Sequence, residues 1–302
     1  MLKERHFKLR KPFKFNKDNL IYVFIGLLFL VQGFSLILPF LWMILTSFKD
    51  LIDSYTSFLG LPTTWHPENY VAIFERLNIE VVRNGEVYQY GVFDMMLNSL
   101  IIATFGSFFA LLPTVLLSYV CAKYNFRFRK LILSINIFVM VIPVVGTLAN
   151  TLIIYKQFGI YNNLWLYMIL PGIPFGFNFL LLLGTFKAVP KSYSEAVFID
   201  GGGHLTIFLK IIIPLVMPTL ITLYVLSFIG RWNDYSSSLL YLPSTPTLAY
   251  GMYRFQYDAS KYGAILPEIL AGFAICSIPS VVLFCSFQKF ITKSLTVGGI
   301  KE

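Results

Sequence analysis

The chain has 302 residues, of which 57% are apolar and only 13% charged. That balance excludes a disordered chain and an ordinary soluble domain, and leaves an integral membrane protein as the class. The formal charge of +9 raises nucleic acid as a partner, but the bases are distributed as membrane topology requires, so no nucleic acid is expected.

Residues 1–19 form a basic arm, with Lys3, Arg5, Lys8, Arg10, Lys11, Lys14 and Lys17 against Glu4 and Asp18. Such an arm belongs on the cytoplasmic side. The apolar run from Leu20 to about Leu45 is too long for a signal-peptide core, and no small-residue cleavage site follows it. A bilayer core needs about 20 helical residues, so residues 20–48 read as an uncleaved first span. In residues 49–96 the acids Asp50, Asp53, Glu68, Glu75, Glu80, Glu86 and Asp94 outnumber Lys49, Arg76 and Arg83, which suits the outer side. Pro62, Trp65, Pro67, Asn69 and Tyr70 predict a turn and then a short surface helix. That helix is either a contact for an external partner or part of an interfacial aromatic belt.

Residues 97–290 contain five further spans. The second runs from about Asn98 to Tyr119. The acid-free connector with Lys123, Arg127, Arg129 and Lys130 then lies in the cytoplasm. The third covers about Leu131 to Ile153, with Pro143 and Gly146 inside it. The fourth covers about Leu164 to Thr185, broken by Pro171, Gly172, Pro174 and Gly176, which make either a simple kink or a cavity wall. A cytoplasmic loop, 187–210, leads to the fifth span, from about Ile211 to Ile229. Gly230-Arg231-Trp232-Asn233-Asp234-Tyr235 and a polar, proline-bearing outer segment follow, to about Pro267. The sixth span runs from about Ile269 to Phe287, and residues 291–302 form a tail. The expectation is an all-α integral membrane protein of six transmembrane helices with both termini cytoplasmic.

The loop is not composed like a linker. Ser192 and Glu195 have capping-box spacing, and a helix of about two turns would run to Asp200, where Gly201 could supply a left-handed terminator. A second helical piece would start near His204 and pass through Pro214 and Pro218. A helix this short is marginal alone, and Ala196, Val197 and Ile199 would be wasted in solvent. It is either a knob for a groove on another protein or a turn packed on its own spans.

No catalytic or metal-binding set is visible. His6, His66 and His204 are scattered, and Cys121, Cys276 and Cys285 match neither a disulfide framework nor a metal site. No acid lies at mid-span, where an ion-coupled transporter often keeps its coupling group. No Gly-Lys-Ser/Thr phosphate loop occurs. If ATP supplies the energy, a separate subunit hydrolyses it.

Glu195-Ala196-Val197, Gly201, then Ile211, Ile213 and Pro214 resemble the cytoplasmic coupling loop of ABC importer permeases, whose pattern is Glu-Ala-Ala, three residues, Gly, about nine residues, then Ile, any residue, Leu, Pro. Val197, Gly202 and Ile213 depart from the usual Ala, Ala and Leu without changing the spacing. Asn98-Ser99, Trp232-Asn233-Asp234, Phe287-Gln288-Lys-Phe and Leu295-Thr-Val-Gly-Gly-Ile-Lys are similar to the shorter permease of maltose-type carbohydrate importers. The resemblance covers about residues 20–302.

It implies an ABC type I importer permease fold in the cytoplasmic membrane of a prokaryote. It also implies a second related permease, two ATPase subunits that hold ATP and Mg, an outer solute-binding protein, and no cofactor on this chain. Tyr193, Glu195, Ala196, Val197, Asp200, Gly201, Gly203 and Pro214 would couple to the ATPase. Leu295, Thr296, Gly298, Gly299 and Ile300 would reach between the ATPase subunits. Tyr224, Ser227, Phe228, Trp232 and Asn233 are candidate contacts along the substrate pathway, although aromatic pairs in a span also serve packing. The implied substrate is a carbohydrate, an oligosaccharide in the first instance. A non-sugar permease and a non-transporting membrane anchor remain as alternatives.

Overall fold

Helix α1, Lys17–Ser47, carries an unbroken apolar surface and reaches the outer segment. The computed structural model describes residues 17–83, 85–142, 146–170 and 172–297. After α1 come α2 (Leu51–Thr56) and α3 (Glu68–Arg76). Asp50 caps α2, accepting from the Asp53 N–H at 2.6 Å. The expected surface helix after Pro67 is α3. The buried Asn69 amide ties it to the end of α1 by donating to the carbonyls of Ser47 and Lys49, both at 2.9 Å. The Thr63 N–H donates to Asp53 at 2.9 Å and holds that carboxyl below the usual aspartate range.

The all-α expectation needs one correction. Ile79–Arg83 (β1) and Glu86–Tyr90 (β2) pair as an antiparallel hairpin, Ile79 opposite Tyr90. β1 carries Ile79, Val81 and Val82 and β2 carries Val87, Tyr88 and Tyr90, and Gly85 between them takes a positive φ of 85°. Asn-Gly between two β-branched runs is a hairpin signal, and it was open to reading in the sequence.

Helix α4, Val92–Lys123, is the second span and starts earlier than Asn98. Asn98 and Ser99 therefore lie inside it and bind the outer segment. Asn98 Nδ2 donates to the Pro246 carbonyl at 3.0 Å, and Ser99 Oγ accepts from the Leu248 N–H at 2.8 Å. The stretch expected to form the third span is not one continuous helix. It is two helices, α5 (Arg129–Val141) and α6 (Thr147–Gln157), with Gly146 left-handed at φ 72° before α6. Pro143 lies outside the described residues. The fourth is likewise split into α7 (Leu164–Ile169) and α8 (Phe177–Ala188). The buried Asn136 of α5 accepts from the Gly176 N–H at 2.6 Å, so the break before α8 has a partner.

Helices α9 (Ser192–Ile199) and α10 (His204–Thr206) make the loop expected on the cytoplasmic side. A π-helical segment, Ile207–Ile212, joins α10 to α11, Ile213–Trp232. Short helices α12 (Ser236–Leu240), α13 (Leu248–Tyr257) and α14 (Ala259–Tyr262) precede the last long helix, α15 (Leu266–Val297). The sixth span thus continues as helix through the first part of the expected tail. Among the described residues, four stretches are long and apolar enough to cross a membrane: Leu20–Ser47, Val92–Lys123, His204–Trp232 and Leu266–Thr292.

Helix α4 packs on α8 and α11, α11 on α15, and α1 on α15. At the outer end, Ile73, Leu77, Met95, Trp232, Met252 and Phe255 share one buried cluster, joining α3, α4, α11 and α13. Arg76 crosses this junction to Glu268, at 2.9 Å, and to the Gly263 carbonyl, at 2.8 Å. The Glu268 side chain is only 6% exposed, so Arg76 is what neutralises it.

Candidate functional site

Of the residues expected to couple to an ATPase, all but Pro214 lie on or beside one exposed short helix. Helix α9 begins at Ser192 itself, with Lys191 before it, and no side chain caps it. The capping box expected of Ser192 and Glu195 does not form, because Ser192 is already in the first turn and the Glu195 N–H bonds to the Lys191 carbonyl at 3.1 Å. The other end is as the spacing predicts. Gly201 is left-handed at φ 79°. The Gly201 N–H donates to Phe198 at 3.1 Å and the Gly202 N–H to Val197 at 2.8 Å. These two bonds form a Schellman motif and satisfy carbonyls at the helix end.

Tyr193, Glu195, Ala196, Asp200, Gly201 and Gly203 are exposed and Val197 is half-buried. Ile199 is 86% exposed and Phe198 47%. A two-turn helix that presents apolar side chains outward has not buried its own hydrophobic surface. That favours a partner groove over packing on its own spans. Pro214 is not part of the knob. It sits at the start of α11, behind the π-helical segment. Proline has no N–H for the carbonyl four residues back and its ring collides with that carbonyl in a regular turn. The wider π turn just before it opens that space.

The knob is bound to the spans. Val197 packs against a buried cluster of Tyr119, Phe186, Ile207, Ile212 and Val216, which joins α4, α8 and α11. His204 Nδ1 and Tyr124 Oη are hydrogen-bonded at 2.9 Å, and the His204 ring meets Phe198 edge-on at 5.1 Å. Lys123 Nζ donates to the Val189 carbonyl at 2.6 Å. These contacts join α9 and the turn after it to the ends of α4, α8 and α11. The sequence reading missed Tyr124, His204 and Lys123, since nothing in a linear chain relates residues eighty positions apart.

A second feature is a cavity of about 390 Å³ beside the break between α7 and α8. It is lined by Ala110, Leu111 and Thr114 of α4, by Ile173, Phe175, Phe177 and Asn178 at the break, and by Ser227 of α11. Gly172 permits the close approach, since a Cβ there would lie 3.1 Å from the Phe109 carbonyl oxygen and from Pro113 Cγ. Of the two readings of the proline-glycine run, the geometry favours a cavity wall.

The expected pathway residues divide. Ser227 lines this cavity, and Tyr224 lines a separate apolar groove with Phe108, Phe208 and Phe287. Phe228 and Trp232 are 4% and 2% exposed and stack at 6.0 Å within the outer core. Trp232 Nε1 donates to the Cys276 carbonyl at 2.8 Å, so it fastens α11 to α15. Both rings pack in the core in this conformation. Asn233 donates to the Ile229 carbonyl at 2.9 Å, and Asp234 Oδ1 accepts from the Ser236 and Ser237 N–H groups at 2.9 and 3.2 Å. Trp-Asn-Asp is thus a staple, a helix end and a cap. In the tail, Leu295 and Thr296 belong to the last turn of α15, while Gly298, Gly299 and Ile300 lie outside the described residues.

Comparison with known proteins gives a consistent picture. The family described as binding-protein-dependent transport system inner membrane component matches residues 114–297. The sulfoquinovosyl glycerol transport system permease protein SmoH of Agrobacterium fabrum is 26% identical, over 90% of this chain and 90% of its own length. The maltodextrin transport system permease protein MdxG of Bacillus subtilis is 31% identical, over 68% of this chain and 74% of its own. Among solved structures, a chain of a bacterial ABC transporter involved in the import of the acidic polysaccharide alginate superposes with a TM-score of 0.71 at 20% identity. That match covers 92% of this chain and 99% of the other, and carries the fold.

Proposed function

The chain belongs to the family of binding-protein-dependent transport system inner membrane components, and is an ABC importer permease subunit with that fold; from this premise we propose that its cargo is a carbohydrate, moved across the cytoplasmic membrane. The single observation that carries the coupling half of this reading is the exposed α9 knob, closed by Gly201 and joined by Val197 and His204 to the ends of α4 and α11. Carbohydrate as the cargo is supported by the relatives, which are named for sulfoquinovosyl glycerol, maltodextrin and diacetylchitobiose, and by a polar cavity at the helix break.

In this proposal the chain crosses the membrane six times with both termini in the cytoplasm. The broken pairs α5–α6 and α7–α8 act as the third and fourth passages. At about 1.5 Å per residue, α5 and α6 together supply about 36 Å of helix, enough for a bilayer core of about 30 Å. The partners are a second permease, two ATPase subunits that hold ATP and Mg, and an outer solute-binding protein. A solved relative of the fold, at a TM-score of 0.55, is an alginate transporter in complex with a periplasmic protein bound to alginate pentasaccharide, which supports the last of these.

The steps are mechanical. Closure of the ATPases moves α9, with Tyr193, Glu195, Ala196, Val197, Asp200, Gly201 and Gly203 at the contact. The buried cluster passes that motion to α4, α8 and α11, and Pro214 with the π turn gives α11 a place to bend. Leu295 to Ile300 would add a second contact to the ATPases. Gentle detergent purification of the tagged chain from native membranes, with partners identified by mass, tests the assembly. An ATPase and a second permease in similar amounts are expected. Recovery of the chain alone, or with unrelated enzymes, overturns the reading in favour of an anchor.

A further inference from the structure

Arg231 stands out among the charges of the span helices. It lies in the last turn of α11, one helical turn beyond Ser227, on the side away from the coupling helix. Its guanidinium rests on α4 over Gly106. A Cβ at 106 would come within 3.1 Å of Nη1 and 3.4 Å of Cζ, so glycine is what lets the cation lie there. Gly106, Ala110 and Thr114 follow at four-residue spacing along α4, and the last two line the cavity. Arg231 also acts electrostatically on Tyr155 of α6 and Tyr167 of α7.

Arg231 has no ion-pair partner among the described residues. Among the described residues no carboxylate lies within 4.0 Å of it, and the ion pairs are His66–Glu68, Arg76–Glu268 and Arg254–Asp258. The nearest acid in sequence, Asp234, is already engaged. Its Oδ1 takes the Ser236 hydroxyl at 2.6 Å, and its Oδ2 takes the Ser237 hydroxyl. Arg231 is half-buried, and its side chain is not sealed from contact. A cation at a helix C-terminus gains from the helix dipole, and a long side chain near a span end can turn out to the interface. Neither effect accounts for a guanidinium turned inward over a glycine, one helical turn from Ser227 and Ala110 in the lining of a polar cavity. An unpaired ionisable group in a membrane helix marks a functional site by default.

We propose that Arg231 binds an anionic group on the transported carbohydrate, a carboxylate or sulfonate, at the outer end of the cavity lined by Ser227, Thr114 and Asn178. The planar guanidinium offers paired donors that match either oxyanion. The neutral part of the sugar occupies the cavity, where Asn178, Thr114 and Ser227 supply polar contacts. This inference rests on the carbohydrate reading above and narrows it to acidic sugars.

The test uses the full importer in proteoliposomes with its binding protein outside. The probes are oligogalacturonate, oligomannuronate, a sulfonated glycoside, and the fully methyl-esterified oligogalacturonate as a neutral counterpart. Wild type takes up at least one acidic probe. Arg231→Gln lowers uptake of that probe about tenfold or more and changes the ester less than twofold. Arg231→Lys, which keeps the charge but not the paired donors, falls between them, and serves alone if the glutamine variant does not assemble. Uptake of neutral sugars without any acidic probe overturns this inference and leaves the carbohydrate reading intact. Uptake of no sugar overturns both. An equal fall for the acid and its ester makes Arg231 a structural residue.

Discussion

Gly202 and Val197 form a pair whose sizes are matched, and the match can be tested. A Cβ at position 202 would lie 2.5 Å from Val197 Cγ1 and 3.1 Å from the Val197 carbonyl oxygen. Ordinary carbon contacts are about 3.5–4.0 Å, so the overlap is about 1 Å. Valine in a helix has one strongly preferred rotamer and cannot turn aside. The same carbonyl accepts the Gly202 N–H at 2.8 Å, so relief by backbone movement weakens the motif that ends α9. Overpacking of this kind costs about 1–3 kcal/mol, enough to favour a misformed loop by roughly five- to hundredfold. Gly202→Ala alone should therefore lower ATP-driven uptake and the recovery of ATPase with the purified chain. Val197→Ala removes Cγ1 and rebuilds the Ala–Ala pair usual in the family, so the double variant should regain both. Wild-type uptake in Gly202→Ala, or a double variant no better than the single, refutes the steric argument. The non-additivity of the two changes is the quantity to measure.

Glu195→Ala and Gly201→Val should each abolish uptake while the chain still inserts. Gly201 sits at φ 79°, where a β-branched residue is strained, and membrane recovery with uptake checks both variants. Trp232→Phe keeps the stacking on Phe228 but loses the bond to Cys276. It should lower thermal stability by about 1 kcal/mol and leave the KM for the sugar unchanged, whereas a raised KM would restore Trp232 to the pathway. Arg76→Ala leaves Glu268 buried without a partner and should lower the melting temperature of the purified protein; Glu268→Gln in that background should recover most of the loss. The bond from Thr63 keeps the Asp53 carboxyl acidic, so this tether is present at neutral pH. It is lost as the pH falls through that lowered value, which proteolysis of residues 51–65 at graded pH would report.

The membrane class, the four long apolar helices and the short helix of the 187–210 loop were legible because they rest on local rules. Apolar runs of sufficient length, Gly201 as a helix terminator and Pro67 before α3 each act within a few residues. In the stretches expected as third and fourth spans the breaks were legible only as proline and glycine positions, since hydropathy averages across them, and the Asn136 bond to Gly176 shows how the second is satisfied. The hairpin at Ile79–Tyr90 carried its signal in Asn84-Gly85, which composition-level reading passed over. The roles of Trp232, Asn233 and Asp234 could not be read, because they depend on which carbonyls and amides the fold brings near them. Arg231 was visible as a charge in an apolar run, but its lack of a partner is a property of the packed helices.

The central claim is that this chain carries a sugar through the membrane on energy supplied by a partner ATPase. The most direct measurement is uptake of radiolabelled carbohydrate by proteoliposomes holding this chain, its second permease and the ATPase, with binding protein outside and ATP inside. ATP-dependent accumulation that vanishes without the binding protein, and in Glu195→Ala, is the predicted result. Sugar equilibration without ATP, or accumulation unaffected by Glu195→Ala, would contradict the account.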